Sequence, residues 1–212
     1  MSPYDRPERG GALPDTITID VNQLDRRDRY HLMISSVIPR PIAWTSTISR
    51  AGITNLAPFS FFGGVSTDPP IVMLSIGRRR DGSHKDTARN LLDTAEAVVH
   101  ICPALDGPSM VATSADLSPT ESEFDSAGLP SIASSIVAPP RLERFAIAME
   151  TRRIMHSEVG NGPVDLFLLE AICFHLRSDL VVDGLVDASR LAALGRLGGS
   201  LYCDTARPFS IE

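Results

Sequence analysis

Short apolar runs separated by turn residues are the feature of this sequence that most restricts its fold. Each run is rich in β-branched or aromatic residues and is bounded by glycine, proline or polar turn residues, which is typical of β-strands. The clear runs are PIAWTSTIS (41–49), IVMLSIG (71–77), AVVHIC (97–102), FAIAME (145–150) and LFLLEAICFHL (166–176). We therefore predict five strands.

Helical signals lie between these strands without alternating with them. Residues 85–96 carry an apolar stripe at helical spacing, with Asp86 or Thr87 available as the cap. Residues 187–199 indicate a second helix that ends at glycines. Because strands dominate and helices interrupt them irregularly, the sequence predicts a mostly β fold with peripheral helices. An antiparallel barrel is favoured over a doubly wound sheet.

The stretch 103–140 is rich in serine, proline and alanine and contains no clear strand. We interpret it as an insertion that covers part of the barrel, in preference to a domain boundary. Thr120 with Glu123 three residues later is a capping-box pattern and predicts a helix start. Residues 1–20 are assigned to an N-terminal arm and residues 21–212 to one domain.

Composition excludes several classes of protein. The chain has 26 acidic and 20 basic residues, and the net charge of −6 argues against a nucleic-acid surface. No stretch approaches the roughly 20 apolar residues of a membrane span, and the charged N-terminus does not resemble a signal peptide. Three cysteines do not make a disulfide framework. We expect a cytoplasmic protein that binds neither nucleic acid nor membrane.

The common catalytic motifs are missing from the sequence. It contains no Gly-x-Ser-x-Gly elbow, no Walker phosphate loop and no Gly-x-Gly-x-x-Gly after a strand. His100 with Cys102, and Cys173 with His175, are pairs two residues apart on predicted strands, so each pair could offer two metal ligands on one face. Buried cysteine is common as a simple hydrophobe, and we favour core packing over a metal site.

An anion site is indicated ahead of the predicted helix 85–96. Ser83, Lys85 and Thr87 gather where orphan backbone N–H groups and the positive end of the helix dipole favour negative charge. The basic run 78–80 leads into this segment, and its function stays open between a solvated loop and a ligand contact.

The run NLAPFSFFGG (55–64) combines three phenylalanines with an amide, a hydroxyl, a proline and two glycines. A core strand does not need the polar groups, and a loop does not need the aromatic ones. A ligand with a phosphate at one end and a flat, hydrogen-bonding ring at the other would use both this run and the anion site. At least one of the phenylalanines is expected to fill the core.

These residues resemble the flavin reductase-like family of FMN-binding split-barrel proteins. The resemblance is carried by RPIAW (40–44), NLAPFSFF (55–62) and KDTARN (85–90), and it extends to the tail LGRLGGSLYC (194–203). It implies a Greek-key split β-barrel, a homodimer with FMN near the subunit interface, and electron transfer from NAD(P)H.

The resemblance also implies the cofactor-binding residues. The first group lies on the strand that approaches the flavin, and the second is expected to line the isoalloxazine and the ribityl chain. The third is expected to offer backbone and hydroxyl contacts, and the fourth to hold the phosphate. The residues are Thr45, Ser46 and Thr47; Asn55, Leu56, Ala57 and Pro58; Ser75, Ile76 and Gly77; and, at the phosphate, Lys85, Asp86 and Thr87. Arg196 and Tyr202 are expected as neighbours of the substrate.

The function implied by this family is a reductase that transfers hydride from NAD(P)H to FMN, bound or as a substrate, and on to an acceptor. A monooxygenase partner is one such acceptor. The alternative is a non-catalytic FMN-binding or electron-transfer protein, and a split barrel that uses haem is a weaker one. The flavin carries the hydride chemistry, so no side-chain acid or base is required.

Overall fold

A computed structural model describes residues 16–211. In chain order its strands are β1 (Arg40–Pro41), β2 (Ala43–Ile48), β3 (Thr54–Phe59), β4 (Phe62–Thr67), β5 (Pro70–Gly77), β6 (Glu96–Ile101), β7 (Ser131–Ile132), β8 (Arg141–Leu142), β9 (Ile147–Val159), β10 (Val164–Leu176), β11 (Val181–Val182), β12 (Leu185–Val186), β13 (Leu194–Arg196) and β14 (Tyr202–Asp204). The α-helices are α1 (Arg26–Ser36), α2 (Asp86–Thr94), α3 (Gly107–Ala112), α4 (Glu123–Ser126) and α5 (Ala188–Leu191). Single 3-10 turns lie at Val21–Gln23, Ala104–Asp106 and Ser178–Leu180. The predicted N-terminal arm lies largely outside the described residues.

Seven antiparallel strands form the main sheet, in the order β3-β2-β6-β9-β10-β5-β4. A second sheet, in the order β1-β13-β14, pairs the short strand that precedes the main sheet with two strands near the C-terminus. Pro58 lies within β3, an edge strand of the main sheet, where its missing N–H costs no ladder hydrogen bond. The prediction of mostly antiparallel β structure with peripheral helices is confirmed.

All five predicted strands are present, but one extends much further than its apolar run. The prediction 145–150 corresponds to β9, which continues to Val159 in antiparallel pairing with β10. Its second half is polar and mostly exposed, so it has no apolar pattern. Backbone pairing with β10, and not burial, makes this part of the chain a strand.

The prediction of a helix over 187–199 is largely wrong. Only Ala188–Leu191 is helical; Ala192 adopts a left-handed conformation, and β13 follows, paired with both β1 and β14. Gly195 permits this close packing, since a Cβ there would lie 2.9 Å from Cys203 Sγ and 3.1 Å from Pro39 Cβ. The helix α1 was not predicted, because it buries no residue and therefore has no apolar stripe.

Both predicted helix caps are wrong. The helix α2 begins after Lys85, which provides no side-chain cap, so neither Asp86 nor Thr87 is the capping residue. The helix α4 begins after Ser122, and Thr120 lies outside it. The Glu123 carboxylate instead accepts a hydrogen bond from Leu56 N at 2.9 Å, so a contact with β3 replaces the local capping box.

Two apolar clusters make up most of the core. One lies between the main sheet and α2 and includes Phe59, Phe62 and Phe167. In the other, Met110 and Phe124 from the segment 103–140 pack with Ile42, Trp44 and Leu56 among others. Trp44 Nε1 also donates to Thr113 Oγ1 at 2.8 Å. The segment therefore covers one face of the barrel, as expected.

Helices able to cross a bilayer, being both long and apolar enough, are not found between residues 16 and 211.

Candidate active site

The described chain contains a cleft of about 1460 Å³. It lies where α1, the β3–β4 junction, the end of β5 and the C-terminal segment 196–202 meet. Its lining comprises Tyr30, His31, Ile34, Ser35, Arg40, Ile42, Pro58, Phe59, Ser60, Phe61, Ser75, Gly77, Lys85, Met110, Val111, Ser114, Val164, Arg196, Gly198, Gly199, Ser200, Leu201 and Tyr202. A smaller cavity of about 60 Å³ shares Pro58, Phe59, Lys85 and Ser114 with it, so the two adjoin each other.

The start of α2 is suited to an anion. No side chain caps this helix, so its first backbone N–H groups keep their donor capacity. Lys85 is exposed, and between residues 16 and 211 its ammonium group has no ion-pair or hydrogen-bond partner. Asp86 does not oppose an anion, because its carboxylate is held by Arg79 at 2.5 Å and also by Arg89.

A buried polar network supports this helix start from below. Asn55 Nδ2 donates to Thr47 Oγ1 at 3.2 Å and to Thr87 Oγ1 at 2.9 Å, and Asn90 Nδ2 donates to Thr47 Oγ1 at 3.0 Å. Both N–H groups of the Asn55 amide are thus used inside the protein. What Asn55 can offer a ligand is therefore its side-chain oxygen, which accepts hydrogen bonds.

The thirteen predicted cofactor residues fall into three sets. Four line the main cleft: Pro58, Ser75, Gly77 and Lys85. Four more line the smaller cavity: Asn55, Ala57, Asp86 and Thr87. The remaining five are buried and line neither cavity: Thr45, Ser46, Thr47, Leu56 and Ile76. The structure therefore brings eight of them to two adjoining cavities, and Thr47 supports the smaller one through Asn55.

The three phenylalanines of the run 55–64 divide between core and cleft. Phe59 and Phe62 are each 8% exposed and belong to the main core, which confirms that the aromatic run serves packing in part. Phe61 is 37% exposed and lines the cleft, with the Arg40 guanidinium carbon 5.6 Å from its ring centroid.

The buried carboxylate of Asp165 organises the loop that carries Lys85. It is bonded to His84 Nδ1 at 2.9 Å, His156 Nε2 at 2.9 Å and Arg78 Nη2 at 3.2 Å. Burial alone would raise the pKa of Asp165, but these hydrogen bonds outweigh it and the pKa is lowered from 3.8. Arg78 and His84 sit at the two ends of the loop, so Asp165 ties both ends to β10.

The basic run 78–80 accordingly has three separate environments. Arg78 binds Asp165 and, at 2.6 Å, Glu158; Arg79 binds Asp86; and Arg80 is exposed without a partner in the described part of the chain. Two of the three side chains are therefore scaffold contacts of the loop.

The first histidine–cysteine pair considered as a metal site packs in the core, as favoured. His100 Nδ1 bonds to Trp44 O at 3.0 Å and its Nε2 accepts from Leu142 N at 3.1 Å, so both nitrogens are satisfied. Burial lowers the pKa of His100 to about 4 and raises that of Cys102 to about 12, which keeps both groups neutral at neutral pH.

The second pair meets a third potential ligand. His175 Nε2 lies 3.5 Å from Cys173 Sγ and 2.6 Å from Glu150 Oε1. The fully buried Glu150 carboxylate also accepts hydrogen bonds from the backbone N–H groups of Ser135, Ile136 and Val137 at 2.6–3.0 Å. These contacts identify Glu150 as the anchor of the loop 135–137 on β9.

Sequence reasoning missed much of the cleft wall. Tyr30 and His31 come from the unpredicted helix α1, Met110 and Ser114 from the segment 103–140, and Arg40 from a quoted motif to which no role had been assigned. Of these residues, only Arg40 could have been recognised from the sequence, because it is a charged residue beside an apolar strand. The others depend on tertiary contacts.

The cleft fits FMN by the chemistry of its donors. A phosphate requires cationic and N–H donors, which Lys85 and the uncapped start of α2 supply. The hydroxyl groups of Ser75 and Ser114 suit a ribityl chain. Pro58, Phe61 and Met110 provide apolar wall for a ring system.

Comparison with known proteins gives a consistent result. The family model described as "Flavin reductase like domain" matches residues 34–193. The structure is similar to nitrilotriacetate monooxygenase component B from Bacillus cereus, with a TM-score of 0.90 and 31% identity, covering 94% of this chain and 100% of that one. It is also similar to 2-nitrobenzoate 2-nitroreductase NbaA of Pseudomonas fluorescens, with a TM-score of 0.84 and 26% identity, covering 92% and 95%.

A more distant likeness concerns the fold alone. A protein from Shewanella frigidimarina, described as a flavin reductase with a split barrel domain, gives a TM-score of 0.78 at 20% identity, covering 91% of this chain and 95% of that one. With the family match, this confirms the predicted split β-barrel.

Proposed function

This chain belongs to the flavin reductase like domain family, and we propose that it is an FMN-dependent oxidoreductase that takes hydride from NAD(P)H and passes the electrons to an acceptor. One observation carries the proposal. The start of α2, which no side chain caps and whose Lys85 has no partner among residues 16–211, opens onto a cleft that is large enough for a flavin and has aromatic and apolar walls.

The residues of this chain would act by binding and orientation. Lys85 and the first N–H groups of α2 would hold the phosphate, while the Asp165 cluster keeps the intervening loop in place. When bound, FMN supplies hydride-accepting chemistry at its ring. Fixed backbone and side-chain donors around the ring would stabilise the negative charge of the reduced state.

Two classes of acceptor are supported by similar proteins. One neighbour is component B of a monooxygenase, and another is a nitroreductase that acts on a small aromatic molecule. The proposed acceptor is accordingly a monooxygenase partner or a small organic oxidant. The alternative of a non-catalytic FMN carrier is tested by NAD(P)H consumption with added FMN, which a carrier would not support.

The phosphate assignment is tested by Lys85→Ala. We expect FMN affinity to fall about 10- to 100-fold, because a hydrogen bond to a charged group contributes about 1–3 kcal/mol. Arg80→Ala is the matched control, since it removes a neighbouring exposed cation that has no partner in the described structure. Quenching of flavin fluorescence measures both affinities. Equal losses in the two variants would show only a general field effect, and an unchanged affinity in Lys85→Ala would remove the assignment.

A homodimer in the cytoplasm is part of the same proposal. It is supported by exposed apolar side chains on α1 and on the paired strands β9 and β10, among them Met33, Met155 and Phe174. Light scattering of the purified protein measures the assembly directly, and a monomer at micromolar concentration would contradict it.

A further inference from the structure

We propose that Arg40 and Arg196 form a second anion site in the cleft, which binds the carboxylate or phosphate of a second ligand beside the flavin. The proposal deepens the proposed function and rests on it, since the second ligand is the molecule that exchanges electrons with the flavin.

The first observation is a like-charged pair across two strands. Arg40 of β1 and Arg196 of β13 are direct partners in an antiparallel register. Directly opposite residues place their side chains on one face of the sheet with Cβ atoms about 4.5–5.5 Å apart, and like charges in such positions destabilise the sheet. An anion bound beside the two guanidinium groups would offset this repulsion.

The second observation is that no protein carboxylate compensates this pair. Arg40 is only 5% exposed, and its guanidinium donates to Ile34 O at 2.6 Å, Val37 O at 2.8 Å, Leu197 O at 3.2 Å and Ser60 Oγ at 3.4 Å. Arg196 donates to Tyr202 Oη and Gly199 O. Within residues 16–211 neither guanidinium has a carboxylate at ion-pair distance, whereas Arg78 and Arg79 both do.

The third observation is the composition of the cleft. The described lining of this cleft contains Lys85, Arg40 and Arg196 but no aspartate or glutamate, whereas the adjoining smaller cavity is lined by Asp86, Asp116 and Glu123. A cleft lined by one sign of charge attracts ligands of the opposite sign. Lys85 accounts for one anionic group, the flavin phosphate, so the arginine pair is left for another.

The cleft also has room for two molecules. Its volume of about 1460 Å³ exceeds the roughly 300–1,000 Å³ of an ordinary small-molecule pocket. The guanidinium carbon of Arg196 lies 4.4 Å from the Tyr202 ring centroid and that of Arg40 lies 5.6 Å from the Phe61 ring centroid. Aromatic surface beside each cation suits a flat molecule that carries an anionic group.

The two arginines have different roles. A guanidinium has five N–H donors. Arg40 makes four hydrogen bonds, which connect the end of α1, Leu197 and Ser60. It therefore holds the cleft wall together, and its positive charge attracts an anion without contacting it. Arg196 makes two, which leaves three donors, and it is the residue assigned to contact the ligand.

Two sources can supply this anionic group. One is the additional phosphate that distinguishes NADP(H) from NAD(H), and the other is a carboxylate on a small aromatic acceptor. Both offer paired oxygens to a planar guanidinium, which binds such groups in a fork geometry.

The test compares Arg196→Gln and Arg196→Lys with the unchanged protein, each saturated with FMN. Isothermal titration calorimetry measures binding of two matched pairs of probes: NADP⁺ against NAD⁺, and benzoate against the uncharged benzamide. We expect Arg196→Gln to weaken the anionic member of at least one pair by about 10- to 100-fold and its neutral counterpart by less than about threefold. Arg196→Lys should recover part of the loss. The affected pair identifies the source of the anion.

FMN affinity of the flavin-free variants, measured by fluorescence quenching, separates this proposal from the flavin assignment. It should stay within about twofold of the unchanged protein in Arg196→Gln. A tenfold loss of FMN affinity would show that the arginine pair holds the flavin phosphate itself, and equal changes within both probe pairs would show no anion site. Either result overturns the proposal, whereas failure of the flavin site appears separately in Lys85→Ala.

Discussion

The Asp165 cluster and the arginine pair Arg40–Arg196 are two charged regions that are built in opposite ways. The arginine pair lines the cleft, whereas the Asp165 cluster holds the loop that leads to Lys85. Asp165 is fully buried, and three donors converge on its one carboxylate. The arginine pair places two positive charges opposite each other without a carboxylate in the described structure. The Asp165 carboxylate has its partners within the protein, whereas the counter-ion that we propose for the arginine pair is a bound ligand.

This difference separates scaffold from recognition. A buried carboxylate whose cationic partners are present holds a loop in one conformation, and removing it leaves those partners uncompensated. A cationic pair that lacks a counter-ion lowers the stability of the free protein, and a bound anion restores it. We therefore expect mutations in the two regions to affect different measurements.

The largest expected effect is in the paired region. Asp165→Asn should reduce the free energy of unfolding by about 3–5 kcal/mol, because Arg78 loses one of its two carboxylate partners and both His84 and His156 lose a charged hydrogen-bond acceptor. Urea denaturation at pH 7 measures this loss. Asp125→Asn, an exposed position in α4, is the control and should change stability by less than about 0.5 kcal/mol. A similar small effect at Asp165 would contradict the distinction between the regions.

An intermediate effect is expected at the second buried carboxylate, and it depends on pH. Burial disfavours ionisation of Glu150, but hydrogen bonds from Ser135, His175, Val137 and Ile136 prevail and lower its pKa to about 2 from the usual 4.5. Because the folded-state pKa is depressed, this stabilisation is complete above about pH 4.5 and is lost as the pH falls towards 2.

The size of that loss follows from the difference in pKa, about 3 kcal/mol in total. Glu150→Gln should remove this part of the acid sensitivity, while the exposed Glu143→Gln should keep it. Urea denaturation repeated from pH 5 downwards gives the slopes. Parallel slopes for Glu150→Gln and the unchanged protein would show that Glu150 is not responsible.

The smallest expected effect is in the unpaired region. Arg196→Gln should change the free energy of unfolding of the ligand-free protein by less than about 1 kcal/mol, since lost bonds to Tyr202 and Gly199 are offset by relief of repulsion from Arg40. The same denaturation assay checks it. A loss as large as that of Asp165→Asn would make Arg196 a structural residue.

How much could be predicted from the sequence differs between the fold and the site. The runs 71–77 and 166–176 are strands, as predicted, because each contains buried positions, such as Leu74 in the first and Phe167 in the second, and burial imposes an apolar pattern. The second half of β9 and the helix α1 are exposed, so no such pattern marks them. The capping box predicted at Thr120 and Glu123 is wrong because the Glu123 carboxylate accepts a hydrogen bond from Leu56 N, a residue far away in the sequence.

The site shows the same limit at the level of single residues. Lys85 could be placed from its position before a helix, since the field of a helix start is local. The arginines of 78–80 could not be interpreted, because their partners Asp86, Glu158 and Asp165 lie up to 87 positions away.

The sequence by itself determined the strand-rich class, the family and the position of Lys85 at the start of a helix, because each of these depends on patterns of residues that are close in the chain. Only the tertiary structure decided which polar groups are already satisfied and which remain for a ligand. It engaged both N–H groups of the Asn55 amide with Thr47 and Thr87, gave the Asp165 carboxylate three hydrogen-bond partners and paired Arg40 with Arg196. The physical reason is that hydrogen bonds and charges act through space, over a few ångströms, between residues that the sequence separates by as much as 157 positions.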